Sequence, residues 1–524
     1  MKAPISWLQD FVKIDIPAEA LADKLVHAGF EVEEIIREAD AIKNVVTGRV
    51  LAMERHPNSD HLWICQINVK TATLQIVTGA QNVQVGDIVP VALDGAVLPD
   101  GKHIFNGELR GVKSLGMLCG GSELGLTDAD YEGADVDGIL ILKPDTKVGV
   151  DINEILGRTD VILDVSVTAN RPDCNSIWGI AREVGAVLHK TVKAPVTSYT
   201  ATPERIFNLL DVQVADADLC PRYMAKAVKN IKICESPKII KDRLRAVGIK
   251  SINNIVDITN YILIELGQPM HAFDYEKIAG HRIVVRRAEE GETITTLDNT
   301  THNLDNDVLV IADAEKPLAV AGIMGGLDSG ISDDTHTIIF ESAKFARDNV
   351  RRTSRKLNLK SDSSARFEKG IDFLSQAIAI DRALTLIQTN GWGTIISGTI
   401  DTNMNAVKPR TLTVQYKKIN NILGIKVPTE KMVEILNSLQ IKTVVKGKRL
   451  ECQIPAYRED IEGANDLAEE IIRLYGYNKI KSTLFADASK QTMGGRDAFR
   501  TKEDLLKRIL TAKGANEIDR KSVV

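Results

Sequence analysis

Cysteine is scarce and unpatterned. The six cysteines, at 65, 119, 174, 220, 234 and 452, form no CxxC pair and keep no regular spacing. That argues against a disulfide framework and a zinc site, and leaves reduced thiols of a cytoplasmic protein as the expectation. No apolar run approaches the length of a membrane span. The opening stretch MKAPISWLQDFVKIDIP lacks the apolar core of a signal peptide. A phosphate loop is missing too, because the glycine-rich turn AGIMGGLDSG (Ala321–Gly330) has no GKS or GKT ending. Nor is there an excess of positive charge: the net charge of −5 gives no global pull on nucleic acid, so local patches decide.

What is present is ordinary globular material, 44% hydrophobic and 26% charged. At about 150 residues per domain, 524 residues predict three or four domains. Residues 1–39 predict a short helical segment: Pro17 precedes Leu21, Leu25 and Val26 at helical spacing, and Gly29 ends the run. The character then changes. Val45–Glu54, Leu62–Asn68, Leu74–Val77 and Ile88–Ala92 are β-rich runs broken by Gly, Asn and Asp, as in a small barrel. A helix is expected from about Ser176, after the break at Arg171–Pro172. Pro195 and the stretch Thr197–Thr202 read as a linker.

Residues 211–390 read as a mixed α/β block. Asn253–Asp274 carries an aliphatic helix ending at Gly267–Gln268–Pro269, and Arg282–Arg287, Val308–Ala312 and Thr337–Phe340 read as strands. The four glycines of Ala321–Gly330 mark a place where backbone approaches something closely. A basic run follows: Arg347, Arg351, Arg352, Arg355, Lys356, Lys360, Arg366 and Lys369. It is either a solvated helix face or a phosphate contact. From about Val407 to Ser482 lies a smaller α/β segment, with Met432, Ile435, Leu436 and Leu439 on one helix face.

That segment ends in a cluster of acids: Asp460, Asp466, Glu469 and Glu470. A helix is expected from about Asn465. Leu467, Ile471, Leu474 and Tyr475 share one face, and Asp466, Glu469 and Glu470 the other. Crowded carboxylates raise each other's cost of ionising unless a cation or a basic partner sits among them. A hard ion such as Mg²⁺ suits them. Helix capping is the other reading: Asn465 is a good N-cap, and Asp466 with Glu469 keeps a capping-box spacing.

The wording of these segments is more specific than their periodicity. HPNSDHLWICQINV, TGAQNVQVGDIVPVALDGAVLP and ELRGVKSLGMLCGGSELGL, within about Asn44–Lys147, resemble the tRNA-binding OB-fold of several aminoacyl-tRNA synthetase subunits. His56, His61, Arg110 and Lys113 are its candidate contacts, with loop polarity as the other reading. Together with SVTANRPDCNSIWGIARE, GQPMHAFD, ARFEKGID and DLAEEIIRLYGY in this order, the chain resembles the β subunit of bacterial phenylalanine–tRNA ligases along nearly its whole length. The resemblance implies a multidomain α+β architecture. Residues 1–39 plus 151–200 would form a discontinuous helical/α+β N-terminal domain, into which 40–150 inserts as an OB-fold β-barrel. Residues 211–390 would be a mixed α/β editing domain of B3/B4 type, 407–482 a small α/β domain of B5 type, and 483–524 the truncated start of a class II synthetase-like domain. The ending DRKSVV sits oddly beside ILTAKGANEI and is expected to be translated sequencing adapter, which resequencing the locus tests.

The same resemblance implies a division of labour. An α subunit, in an α2β2 heterotetramer, joins phenylalanine to ATP and then to tRNA in the cytoplasm; this chain binds tRNA and hydrolyses mischarged tyrosyl-tRNA. A pocket shaped for phenylalanine rejects an added hydroxyl only by about 100-fold, so a second site is needed. The implied editing residues are Lys250, Thr259, Asn260, His271, Gly322, Gly325, Glu341, Ser361 and Ser363. Glu341 would accept the tyrosine hydroxyl and His271 would position water or the tRNA terminus. Lys250, Ser361 and Ser363 replace the frequent Arg, Thr and Ala of the pattern; the first loses a planar fork. The implied Mg²⁺ ligands are the four acids, near the α-subunit boundary. No ATP-contacting motif is assignable, so ATP belongs to the expected complex. A non-catalytic tRNA-binding scaffold is the rival reading, separated from the first by tyrosine release.

Overall fold

The structure, a computed structural model, describes residues 1–128, 130–402, 410–482 and 498–518. Residues 403–409 and 483–497, and the DRKSVV ending from 519, on which some of the expectations above fall, lie outside the described residues. The chain divides into two compact units, Met1–Gly476 and Tyr477–Val524. Among the described residues no helix is long and apolar enough to cross a membrane. All six cysteines are free, and five of them are buried.

In the first unit the β-rich runs form a six-stranded antiparallel sheet. Its long strands are Lys43–Arg55, Trp63–Asn68, Thr73–Thr78 and Ile88–Val97, the last running five residues past the expected end. Gly48 is required inside it: a Cβ there would lie 2.6 Å from both Ile67 and Val91. A separate three-stranded sheet joins sequence-distant pieces, with Val161–Val165 between Lys2–Pro4 and Val32–Arg37. Helices Ala18–His27 and Ile177–Leu188 belong to the same core, the second capped by Ser176, whose hydroxyl accepts from the Gly179 N–H. The stretch read as a linker is tied down. The Tyr199 hydroxyl donates to Asp381 at 3.1 Å and the Thr200 N–H to Gln388 at 2.6 Å.

Two sheets and their helices make up the middle of the chain. In the first, the order is Thr202–Arg205, Thr394–Ser397, Arg222–Lys229, Thr337–Lys344, Met270–Asp274, with Ile400–Asp401 also on Arg222–Lys229. The second runs Asp211–Val214, Arg282–Arg287, Leu309–Ala312, Pro317–Val320, Met324–Gly325. The aliphatic helix Asn254–Leu266 takes Asn253 as N-cap and ends on Gly267 at φ 77°. The strand Thr337–Lys344 is central, paired on both sides and buried along seven of its eight residues.

Farther on, a three-stranded sheet of Arg410–Gln415, Arg449–Ile454 and Lys442–Lys446 packs with helices Thr429–Ser438 and Ala464–Tyr475. The last helix corrects the capping expectation. Gly463, not Asn465, is its N-cap. The Asp466 carboxylate accepts the backbone N–H groups of Glu462 and Gly463, each at 2.8 Å. In the second unit, helix Ala498–Ala512 exposes Phe499, Leu505, Leu506, Ile509 and Leu510.

Candidate functional site

Glu341 is the anomaly of the buried central strand. It is 6% exposed, and among the described residues it has no hydrogen-bond donor and no cation. Burying an acid without a partner disfavours its charged form. Its carboxyl is accordingly pushed up to about 8 by burial alone. In register directly across from it, on the neighbouring strand, stands His271. Directly opposed residues face the same side of a sheet. The imidazole Nε2 is buried without a partner, and burial holds the ring down to about 4. Phe273 packs on the His271 ring at a 72° interplanar angle, 4.5 Å between centroids.

Both side chains open into one cavity of about 90 Å³ where the two middle sheets meet. Its other wall comes from the turn of the second sheet, including Gly322, Ile323 and Gly325, and Ser363 and Phe367 close one side. Each glycine has a defined reason. Gly322 sits at φ 71°, where a Cβ would also lie 2.9 Å from Phe345. At Gly325 a Cβ would come 2.5 Å from His271 Cε1, so this glycine makes the room for the imidazole. Gly325→Ala is therefore expected to destabilise the chain by about 1–3 kcal/mol, the usual cost of overpacking. It should also displace the His271 ring, read by thermal unfolding and by the histidine resonances.

The predicted residues are not all brought together. His271, Gly322, Gly325, Glu341 and Ser363 line the cavity; Lys250, Thr259, Asn260 and Ser361 are not in its wall. Lys250 is exposed, and Thr259 spends its hydroxyl on the Val256 carbonyl at 2.7 Å. Ser361 holds the wall from behind. It caps helix Asp362–Phe367 and donates to the Ile323 carbonyl at 2.6 Å. The Ser363 hydroxyl donates to the Gly322 carbonyl at 3.2 Å, which leaves it little capacity to polarise the cavity. Glu341 also departs from expectation in state. An acid held at about 8 is largely protonated at neutral pH and both donates and accepts, where a carboxylate only accepts. Sequence reasoning missed Tyr223, whose buried hydroxyl has no partner and whose ionisation is opposed by burial and by Glu341. Only strand register could have found it: Tyr223 lies across from Ala343, two residues from Glu341 on the same face.

The four acids are likewise dispersed. Asp460 takes both nitrogens of a fork from Arg458, at 2.9 and 2.8 Å. Glu470 is buried between Arg458 and Arg473, at 2.9 and 2.6 Å, so it faces inward and not along the solvent side with Glu469. Asp466 caps its helix and Glu469 is exposed. Two of the four carboxylates are thus matched by arginines, and the set does not fit an ion as a shared cage. Among the described residues, the one group of three with metal-ligand spacing is Asp173, Cys174 and Glu183. The Arg171 guanidinium already serves all three, at 2.9, 3.2 and 2.6 Å.

In the barrel-like sheet, His56 is a loop pin and not a free contact. It is buried, accepts the Asn58 N–H at 3.0 Å and donates through Nε2 to the Leu109 carbonyl at 3.1 Å. His61, Arg110 and Lys113 are exposed. The basic run forms helix Arg347–Lys356, which exposes Arg351, Arg352 and Arg355, but Arg366 is buried on Asp362.

Three domain families match the chain: a putative tRNA binding domain over 45–151, a B3/4 domain over 219–391 and a tRNA synthetase B5 domain over 412–477. The cavity lies wholly within the second of these matches. Curated relatives include the phenylalanine–tRNA ligase beta subunits of Clostridium acetobutylicum, 46% identical, and Clostridium tetani, 44% identical, each over 99% of this chain. The chain spans 65% of the length of both. A crystal structure of an N-terminal fragment of the phenylalanyl-tRNA synthetase beta subunit from Pyrococcus horikoshii is 18% identical. It covers 61% of this chain and 88% of its own, but at a TM-score of 0.35 it is too distant to argue from.

Proposed function

This chain belongs to the phenylalanine–tRNA ligase beta-subunit family, and on that premise we propose that it binds tRNA and hydrolyses tyrosine wrongly esterified to the tRNA of phenylalanine. The observation that carries the hydrolytic part is the pairing of an unpartnered buried acid, Glu341, with an unpartnered imidazole, His271, across one small cavity. A protonated Glu341 offers a phenol hydroxyl both an acceptor and a donor. Phenylalanine would bring no group to satisfy that acid. A site built to bond a hydroxyl disfavours the analogue lacking it, because its own polar group is then stranded. His271 stays neutral far below physiological pH, so its free nitrogen is available to hold a water near the ester.

The division of the chain follows the same reading. Residues 1–39 and 151–200 share the small sheet and form one domain; 40–150 insert as an OB-fold; 211–390 are the editing domain, 407–482 the B5-type domain and 483–524 belong to a class II-like domain. Activation of phenylalanine by ATP, and its transfer to tRNA, belong to an α subunit, with which this chain assembles as α2β2 in the cytoplasm. Mg²⁺ accompanies ATP in that activation. The acids Asp460 and Glu470 are engaged by arginine, which leaves them poorly placed to share an ion.

The test is direct. Tyrosyl-tRNA of the phenylalanine type is mixed with the chain and tyrosine release is followed. His271→Ala is expected to slow release by about 10²–10⁴-fold, the usual worth of a positioned acid–base group. Glu341→Ala is expected to cut the preference for the tyrosyl over the phenylalanyl ester, by up to about 10⁴-fold. No release from the parent chain, with tRNA binding intact, would leave the scaffold reading in its place.

A further inference from the structure

Arg182 stands apart from the other buried arginines of its neighbourhood. Arg171, Arg458 and Arg473 all hold carboxylates. Arg182 is only 9% exposed, yet its Nε is enclosed without a partner, and its other N–H groups bond nothing among the described residues. Its guanidinium lies between two rings, with the central carbon 3.8 Å from the centroids of both Trp178 and Tyr457. The rings cover the two faces of the cation. All five N–H donors lie in the plane of the group, so only its edge remains to be satisfied. A buried donor left unmade is costly, and native structures rarely leave one so.

That residue lines a groove of about 1020 Å³. The groove wall mixes apolar side chains, among them Phe373, Leu374, Ile454 and Pro455, with the cations Lys344, Arg347, Lys369 and Arg410. Its acids are spoken for or set apart. Asp460 is held by Arg458, and Glu459 accepts from Lys344 at 2.8 Å. Asp372 makes no ion pair within 4.0 Å of Arg182; burial opposes its ionisation and outweighs the favourable charge of Arg182 and Lys344 nearby. A stacked guanidinium without an ion pair, set beside apolar side chains, suits a planar anion that arrives attached to apolar groups. Edge-on, a carboxylate meets such a fork with two parallel bonds.

We propose that this groove binds a polypeptide segment of a partner, seating a Glu or Asp side chain edge-on against Arg182 and apolar side chains against Phe373, Leu374 and Ile454. The test uses the full chain and two pools of labelled, end-blocked pentapeptides. The pools are alike except that one carries Glu and the other Gln at the central position. Binding is followed by fluorescence anisotropy. The Glu pool is expected to bind about tenfold or more tightly than the Gln pool, the worth of one charge-assisted bond pair. Arg182→Lys keeps the charge and loses the fork, and should remove that preference. Because this change also disturbs the ring stack, Leu374→Glu serves as an independent variant. Leu374 is 47% exposed, and a carboxylate there repels the acidic pool by about tenfold with the fold intact. Equal affinity of the two pools for the parent chain overturns the proposal. So does a short single-stranded RNA that occupies the groove through Arg182 while neither pool does.

Discussion

Glu341→Gln is expected to raise the thermal midpoint at pH 8 and to leave it unchanged at pH 4. The folded acid sits at about 8 against an ordinary 4.5. Below pH 4.5 the carboxyl is protonated in both states, so burial carries no ionisation penalty. As pH rises from 4.5 towards 8, the unfolded chain gives up this proton and the folded chain keeps it. The unfolded state then binds fewer protons, and stability falls with pH. Over that interval the loss reaches on the order of 4 kcal/mol, as an upper estimate. Glutamine has nearly the same shape and no charge to lose, so the penalty disappears. His271 tilts the opposite limb. Its folded value of about 4 lies below the ordinary 6.5, so its contribution is full above 6.5 and lost as pH falls towards 4. Unfolding midpoints of parent and variant across this range are the measurement. Curves that stay parallel from pH 4 to pH 8 would mean the acid is solvated after all, and the cavity would lose its chemical argument.

This acid was half legible in the sequence. The expected strand stops at Phe340, one residue short of the acid; it runs on to Lys344, which places Glu341 inside the buried run and not at its end. Its partner was not legible. His271 and Glu341 are brought opposite each other by strand pairing across seventy residues, and register is fixed by tertiary packing. The elements themselves were read well where local chemistry sets them. Gly267 ends its helix as expected, and Arg282–Arg287 is a strand over those very residues. The failures share one cause. The four acids were read by their spacing along a helix, and spacing does not say which arginines arrive from elsewhere. Arg458 is two residues from Asp460 yet reaches Glu470 as well, and Arg473 answers an acid 290 residues away. Lys250, Thr259 and Asn260 match a pattern by position, and the wall of this cavity is assembled without them.

Arg473→Met is expected to destabilise the first unit by about 3–5 kcal/mol, the usual cost of breaking one side of a buried ion pair. The guanidinium is 6% exposed. It donates to Glu183 at 2.7 Å and to Glu470 at 2.6 Å, so it ties helix Ile177–Leu188 to helix Ala464–Tyr475. Methionine fills much of its volume and leaves two buried carboxylates with one cation fewer. Glu183 keeps Arg171 at 2.6 Å and Glu470 keeps Arg458, so the loss is partial at each. The arginines hold Glu183 down to about 2 against an ordinary 4.5. Its contribution is therefore complete above pH 4.5 and lost as pH falls towards 2. The penalty of Arg473→Met should shrink over the same interval, because protonated acids need no cation. Adding Glu183→Gln to Arg473→Met should cost less than the sum of the two single changes, by about 0.5–3 kcal/mol. Chemical denaturation of the four proteins at pH 7 and at about pH 3 measures both effects. If the costs simply add, the bond between the two helices contributes nothing of its own, and the apolar cores on either side must hold the segments together.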